Sequence, residues 1–236
     1  MIKKNIPNFL TCLNLLTGMV GIYLVLGGDL AMGAYCIFLA AIFDFLDGFV
    51  ARMLKVQGEM GKQLDSLADM VTFGVLPAVI MLKMIEGVTD SVYLPFLGLL
   101  IGIFSAWRLA KFNIDERQTD RFIGVPTPAN ALLISTLPFL AEKSAVARQL
   151  LDSQWFLVGA TLATCYLLVA ELPLIALKFK NYKLQTNLFR YAVLLFSAIS
   201  LIFLGIAGIP FAIILYIASS IIEALIARNA SQSNHI

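Results

Sequence analysis

The sequence predicts an all-α, polytopic membrane protein with about eight transmembrane helices. Of the 236 residues, 60% are hydrophobic and 14% are charged, whereas a soluble domain usually has about 45–50% apolar and roughly 25% charged residues. The mean hydropathy is +0.88. Apolar runs of about 20 residues, the length that a spanning helix needs, recur along the whole chain. We therefore expect one integral membrane domain over residues 1–236, without a separate soluble domain.

Apolar runs and the residues that interrupt them predict the eight helices in order. Helix one ends at the Gly27-Gly28-Asp29 break, and helix three ends at Glu86-Gly87, because glycine and charged residues punctuate apolar segments. A polar stretch at 114–125 separates helix four from helix five, which is short. The last two helices, about 188–228, are expected to be peripheral. The predicted ranges are 7–26, 30–54, 61–85, 92–113, 127–140, 155–179, 188–206 and 209–227.

The chain offers few residues for other kinds of site. Three cysteines lie far apart in apolar runs, and the only histidine is His235, so the sequence predicts neither a disulfide framework nor a zinc site. The basic start precedes an apolar run without a small-residue cleavage site, so we expect the first segment to be a retained span. We expect membrane lipid as the surroundings and no nucleic-acid partner.

Lysine and arginine placement predicts the orientation, because cytoplasmic loops carry an excess of these residues. With the N-terminus in the cytoplasm, 14 of the 17 basic residues fall on that side. An even number of spans then leaves both termini cytoplasmic. The exceptions, at or beyond the opposite face, are Lys83, Lys143 and Arg148.

Two predicted helices carry polar stripes in this otherwise apolar chain. Residues at i, i+3, i+4, i+7 and i+8 of a helix share one face. On helix two that face holds Asp44, Asp47, Gly48, Ala51 and Arg52. On helix three it holds Gly61, Asp65, Asp69 and Thr72. With a rise of about 1.5 Å per residue, both aspartate pairs lie within roughly 6–12 Å of the cytoplasmic helix ends. Four carboxylates are therefore predicted to meet in one cavity.

Four ionised carboxylates in a membrane domain need compensation, since each costs at least about 2.5 kcal/mol near the bilayer centre. Arg52 is the obvious local counter-charge, and two divalent cations would balance the remainder. Oxygen ligands without histidine or cysteine suit Mg²⁺, Mn²⁺ or Ca²⁺. Two such ions are able to clamp a phosphoryl group. Proton or cation transport by intramembrane carboxylates is a second interpretation that spacing alone leaves open.

Residues 44–69 read D-x-x-D-G-x-x-A-R-x8-G-x-x-x-D-x-x-x-D, with eight specified positions across 26 residues. This pattern resembles the signature of the CDP-alcohol phosphotransferase family. The resemblance implies a membrane enzyme with a six-helix core, often homodimeric. Such an enzyme uses divalent metal to move a substituted phosphate from a CDP-linked donor to an alcohol, and it releases CMP.

The resemblance also implies residue roles by position. The metal ligands would be Asp44, Asp47, Asp65 and Asp69, with Asp44 and Asp65 bridging both ions and Asp69 also acting as the general base. The cytidine-diphosphate pocket would be lined by Gly48, Ala51, Arg52 and Gly61. Asn8 and Thr11 would close that pocket from the first helix.

Further stretches resemble the branch of the family that uses CDP-diacylglycerol and L-serine: "IPNFLT" (6–11), "DMVTFGVLPA" (69–78), "RLAKFN" (108–113) and "FIGVPTPANA" (122–131). Serine carries a carboxylate, for which Arg108 is the first candidate partner. Asn113 and Arg121 are further candidates for the acceptor site. A sibling interpretation keeps the chemistry with glycerol 3-phosphate or inositol phosphate as acceptor, for which Arg108, Lys111 and Arg121 would supply the cations.

Overall fold

A computed structural model describes residues 2–115, 122–174 and 187–233, and over these ranges the protein is almost entirely helical. Two-residue strands β1 (Phe122–Ile123) and β2 (Pro173–Leu174) form an antiparallel pair. The helices are α1 (Ile2–Leu26), α2 (Leu30–Leu54), α3 (Glu59–Asp69), α4 (Leu76–Glu86), α5 (Leu100–Ile114), α6 (Thr127–Ser135), α7 (Leu137–Lys143), α8 (Ala145–Leu151), α9 (Gln154–Val169), α10 (Leu188–Leu204) and α11 (Ile209–Ser233).

Helix length and composition confirm the prediction of an all-α polytopic membrane protein. Within the described residues, five segments are long and apolar enough to cross a membrane, and the last of them contains α10 and the first part of α11. They are Asn5–Leu26, Leu30–Leu54, Glu59–Glu86, Leu94–Ile114 and Leu188–Glu223. The helices α6, α7 and α9 have 9, 7 and 16 residues, which is shorter than the roughly 20 residues of a full span.

Helices α3 and α4 are joined without a break by a π-helical segment, Met70–Val75. This segment begins directly after Asp69, the last aspartate of the motif. A π-helical turn holds one extra residue and therefore rotates the faces of the helix that follows, and such turns are frequent at functional sites. The sequence predicted one helix over 61–85 but not this local widening.

The prediction of one continuous helix over 127–140 is wrong, because the helix breaks at Thr136. The Thr136 hydroxyl donates to the carbonyl of Leu132 at 2.6 Å, which competes with regular helix bonding. Pro138 follows in the first turn of α7 and has no N–H to donate. The chain resumes as a helix only to Lys143.

The prediction that helix six continues to residue 179 is also wrong. Helix α9 ends at Val169, and Ala170 has extended backbone angles. The backbone N–H of Val125 donates to the carbonyl of Leu167, and that of Gly124 donates to the carbonyl of Leu172. These bonds occupy carbonyls that a continued helix would have used, so the chain passes into β2 instead. Residues 175–179 lie outside the described ranges.

Helix α1 packs along α2 on one side and against α3, the π-helical segment and α4 on the other. A Cβ atom added to Gly18 would overlap Thr72, so glycine permits this close approach, as small residues do between membrane helices. The main core lies beneath this contact and includes the fully buried side chains of Ile37, Phe73 and Ile101. The aspartate-bearing ends of α2 and α3 are therefore held on a packed base.

Helices α10 and α11 pack on each other, and α11 contacts α6 and β2. Nη1 of Arg190, near the start of α10, lies 3.8 Å from Oε1 of Glu223 in the middle of α11. Large apolar side chains on α10, such as Ile202 and Phe203, are 77% exposed. Such exposure is expected for a surface that faces lipid.

Candidate metal and substrate site

Three of the predicted aspartates meet where the end of α2 faces the start of α3. One carboxylate oxygen from each of Asp44, Asp47 and Asp65 lies within 4.8 Å of the other two. Asp44 and Asp47 are separated by one helical turn and project from the same side of α2. Asp65 reaches the same point from α3. The sequence prediction that two helices bring their carboxylates together is confirmed for these three residues.

Asp69 adjoins this cluster from one turn deeper on α3. Its side chain is buried, with 9% exposure. The carboxylate of Asp44 lies within hydrogen-bonding range of both Asp65 and Asp69. All four aspartates therefore contribute to a single group of oxygen atoms, with Asp69 on its inner side.

Helix α1 holds two of the four carboxylates through hydrogen bonds. The hydroxyl of Thr11 donates to Oδ2 of Asp47 at 2.6 Å, and Nδ2 of Asn14 donates to Oδ1 of Asp69 at 3.3 Å. Thr72 in turn donates to the backbone carbonyl of Asn14 at 3.2 Å. Sequence reasoning missed Asn14, although its spacing of three residues from Thr11 places both on one face of α1.

The donor set fits a hard divalent cation. It consists of carboxylate oxygens alone, which are the ligands that Mg²⁺, Mn²⁺ and Ca²⁺ prefer. The guanidinium of Arg52 lies near enough to Asp47 to offset part of the negative charge. Without a cation, four carboxylates this close would repel one another strongly. Bound cations would therefore remove most of the repulsion among the four carboxylates.

A cavity of about 500 Å³ opens beside the cluster, between the start of α1, the end of α2 and the start of α3. Its volume falls within the range of roughly 300–1,000 Å³ that is usual for small-molecule sites. Asp47 and Asp65 form part of its wall. All six residues predicted for the nucleotide pocket also line it: Asn8, Thr11, Gly48, Ala51, Arg52 and Gly61.

The two motif glycines keep this cavity open. A Cβ atom at Gly48 would lie 3.3 Å from Nη1 of Arg52, and one at Gly61 would lie 3.4 Å from Oδ1 of Asn8. The guanidinium of Arg52 therefore lies across Gly48, at the mouth of the space that the carboxylates face. A side chain at either glycine would narrow the cavity or displace a polar group in its wall.

The predicted acceptor residues fall in different places. Arg108 is buried, with 8% exposure; its Nη1 donates to Thr127 at 3.4 Å, and its charge interacts with that of Asp69. Asn113 instead donates to the hydroxyl of Ser66 at 2.8 Å, on the outer side of α3. Lys111 pairs with Glu171 at 2.9 Å. Arg121 lies outside the described residues.

These features define a class of protein, namely a polytopic membrane protein with a carboxylate cluster and an adjoining small-molecule cavity. A sequence model of the CDP-alcohol phosphatidyltransferase family matches residues 4–167. The chain belongs to this family. The matched range includes all four aspartates and every residue that lines the cavity.

Individual relatives agree with the family assignment. The chain is 35% identical over 139 residues to the CDP-diacylglycerol–serine O-phosphatidyltransferase of Bacillus subtilis, covering 57% of this chain and 75% of that protein. It is 34% identical over 176 residues to the enzyme of that name from Mycobacterium leprae, covering 72% and 57%. It is 35% identical over 147 residues to an archaetidylserine synthase of Methanothermobacter thermautotrophicus, covering 59% and 61%. The matches to the last two relatives thus span less than two thirds of their lengths.

Proposed function

We propose that this protein transfers the phosphatidyl group of CDP-diacylglycerol to the hydroxyl of L-serine and releases CMP, with two divalent cations, Mg²⁺ or Mn²⁺, at the aspartate cluster. The observation that carries the proposal is the convergence of Asp44, Asp47 and Asp65, with Asp69 next to them, beside a cavity of about 500 Å³. The names of the bacterial relatives, CDP-diacylglycerol–serine O-phosphatidyltransferases, support serine as the acceptor.

The donor is expected to enter with its nucleotide in the cavity. Gly48, Ala51 and Gly61 leave room for close approach of the cytidine diphosphate, and Arg52 would donate to its phosphates in a fork. Asn8 and Thr11 close the cavity from α1. When bound, the cations would neutralise the pyrophosphate and the charge that develops on the leaving CMP.

Asp69 is expected to take the proton of the serine hydroxyl. The serine oxygen then forms a bond to the phosphorus that carries the diacylglycerol, and the bond from that phosphorus to the CMP oxygen breaks. Asp69 is buried next to Asp44 and is not among the residues that line the cavity, which supports a role on the acceptor side of the cluster. Positioning of the reactants and charge stabilisation would supply most of the acceleration.

The number of basic side chains available to the acceptor favours serine over a phosphorylated acceptor. Glycerol 3-phosphate or inositol phosphate would need two or three cations in one place. Of the basic candidates in the described part of the chain, Lys111 is paired with Glu171, whereas Arg108 is buried on the side of Asp69. One guanidinium matches the single carboxylate of serine.

We further propose that the site faces the cytoplasm of a cell inner membrane, with both termini on that side, and that the protein is a homodimer of single-domain subunits, each with the motif core at 44–69. The cavity lies at the end of the bundle where Arg52, Lys55 and Lys62 cluster, which supports this orientation. Cysteine labelling at Lys55→Cys from each side of sealed vesicles tests it. Crosslinking in native membranes tests the dimer.

The test of the proposed function is an assay on the purified full chain. CDP-diacylglycerol and Mg²⁺ or Mn²⁺ are supplied with serine, glycerol 3-phosphate or inositol phosphate in turn, and CMP and the lipid product are measured. We expect serine alone to release CMP above the Asp69→Asn background, and chelation of the metal to abolish release. If no acceptor releases CMP above that background, the enzyme proposal is wrong; if only glycerol 3-phosphate does, the acceptor is wrong.

A further inference from the structure

The side chain of Asn14 bonds to Asp69 through one of its two polar atoms, and the other has no partner within the described residues. The residue is fully buried, with 0% exposure. Because an ionised carboxylate only accepts hydrogen bonds, the amide nitrogen must be the atom that faces Asp69. The carbonyl oxygen Oδ1 is then left buried, and no donor within the described residues reaches it.

An unpartnered buried carbonyl is unusual, because the large majority of buried side-chain polar atoms have a hydrogen-bond partner. The backbone of Asn14 is already fixed by the hydroxyl of Thr72, and close packing at Gly18 keeps α1 against the π-helical segment. The amide therefore has little freedom to turn toward another group. A hydrogen-bond donor on a bound ligand would supply the missing partner of Oδ1.

Arg108 supplies a positive charge on the side of Asp69 from another helix. Its guanidinium donates to Thr127, lies 5.0 Å from the ring centre of Phe112 and interacts with the charge of Asp69. The charge of Asp69 thus interacts with a cation on α5, and its carboxylate bonds to an asparagine on α1 whose amide oxygen has no partner within the described residues. Together they complement a small molecule with a carboxylate, a donor group and a hydroxyl in close succession.

We propose that Asn14 determines acceptor specificity by accepting a hydrogen bond from the ammonium group of an amino-acid acceptor, while its amide nitrogen positions Asp69. The inference rests on the proposed function and deepens it. Arg108 would bind the carboxylate of the same acceptor, and Asp69 would face its hydroxyl. The unpartnered oxygen of Asn14 thereby selects for an alcohol that carries a positive charge next to its carboxylate.

A competing role for the same atom is metal binding, since asparagine carbonyls also coordinate hard cations. The two roles predict different measurements. An ammonium-binding residue changes the choice among acceptors and leaves the metal requirement unchanged. A metal ligand changes the concentration of Mg²⁺ that gives half-maximal rate and leaves the choice among acceptors unchanged.

The experiment compares three acceptors in the assay of CMP release: L-serine, 3-hydroxypropanoate, which lacks the ammonium group, and ethanolamine, which lacks the carboxylate. Where an analogue turns over too slowly, its inhibition constant against labelled serine replaces kcat/KM. The variants are Asn14→Ala and Asn14→Leu, the second of which keeps most of the side-chain volume. Thr17→Ala is the matched control, since that hydroxyl donates only to the carbonyl of Leu13 on its own helix.

We expect Asn14→Ala and Asn14→Leu to lower the preference for serine over 3-hydroxypropanoate by about tenfold or more, the size usual for a hydrogen bond to a charged group. The preference for serine over ethanolamine should not change, because both molecules carry the ammonium group. Arg108→Ala should lower the preference for serine over ethanolamine and leave the preference for serine over 3-hydroxypropanoate unchanged. Thr17→Ala should change neither ratio. These ratios do not depend on the amount of folded enzyme, so partial loss of folding leaves the test intact.

An unchanged preference for serine over 3-hydroxypropanoate in both Asn14 variants would overturn the inference, and so would a shift confined to the Mg²⁺ requirement. Failure of the proposed function gives a different result, because the unaltered protein would then release no CMP with serine. Serine-dependent release with unchanged ratios in the variants would reject the role of Asn14 alone.

Discussion

The cavity beside Asp47 and Asp65 and the surroundings of Asp69 lie on two sides of one carboxylate cluster, but they are built differently. The cavity is open, has a volume of about 500 Å³, and is lined partly by exposed groups such as Arg52 and Lys62. Around Asp69, by contrast, Asn14 and Arg108 are buried and already bonded to protein groups. Under the proposed function, a large nucleotide would therefore enter a preformed space, whereas a small acceptor would have to fit among polar groups that are nearly enclosed.

The largest expected effect comes from the carboxylates that the two sides share. Asp65→Asn should lower kcat by about 10³-fold or more, since the charge stabilisation that bound cations supply amounts to several kcal/mol. Excess Mg²⁺ should restore little of the activity. Asp29→Asn is the control, because Asp29 caps the opposite end of α2 by accepting from the backbone N–H of Met32, and asparagine caps a helix about as well. Equal activity of both variants would contradict a shared metal cluster.

Arg108→Ala should come next and should affect the acceptor side alone. We expect the KM for serine to rise by about 100-fold, because loss of one partner of a buried charged pair typically costs 2–5 kcal/mol. The KM for CDP-diacylglycerol should stay within about twofold. Steady-state kinetics with each substrate varied in turn measure both values. A rise confined to the KM for CDP-diacylglycerol would show that Arg108 binds the nucleotide, and it would contradict the assignment of donor and acceptor to the two regions.

Arg52→Ala should raise the KM for the donor rather than the KM for the acceptor, and by a smaller factor than Arg108→Ala. We expect the KM for CDP-diacylglycerol to rise by about tenfold, the lower end for a hydrogen bond to a charged group, because Arg52 is exposed to water. The KM for serine should not change. Arg148→Ala serves as the arginine control, since Arg148 lies in α8 and donates to the carbonyl of Ala141. An effect on serine but not on the donor would show that the assignment of the two sides is reversed.

Lys111→Ala should have the smallest effect, below about twofold in both KM values. The pair with Glu171 is exposed, and exposed ion pairs contribute about 0–1 kcal/mol. The variant distinguishes serine from a phosphorylated acceptor, because a phosphorylated acceptor would require Lys111. A large rise in acceptor KM for this variant would favour that sibling chemistry and contradict the serine assignment.

The sequence predicted the aspartate cluster and the residues that line the cavity because their signal is local. The spacings within 44–69 place Asp44, Asp47 and Asp65 on facing helix surfaces, and the glycines mark where a ligand approaches. The break of helix five at Thr136 and the end of helix α9 at Val169 were not predictable in the same way. The end of α9 depends on hydrogen bonds to a segment that is distant in sequence, such as that from Val125 to Leu167. The break at Thr136 is local, but the sequence does not show that the Thr136 hydroxyl bonds to the carbonyl of Leu132.

The surroundings of Asp69 were predicted only in part because their contacts join four separate segments. Asn14 meets Asp69 across 55 positions of sequence, and Arg108 meets Thr127 across 19. An asparagine in an apolar helix carries no spacing signal of its own beyond its shared face with Thr11. Asn113, predicted beside Arg108, instead bonds to Ser66, because residues five positions apart do not share a helix face.

The most direct test of the central claim is anomalous diffraction from crystals of the full chain grown with Mn²⁺. The account predicts two anomalous peaks among the carboxylates of Asp44, Asp47, Asp65 and Asp69, and their loss in Asp44→Asn crystals. Carboxylates that point apart with no anomalous density between them would contradict it.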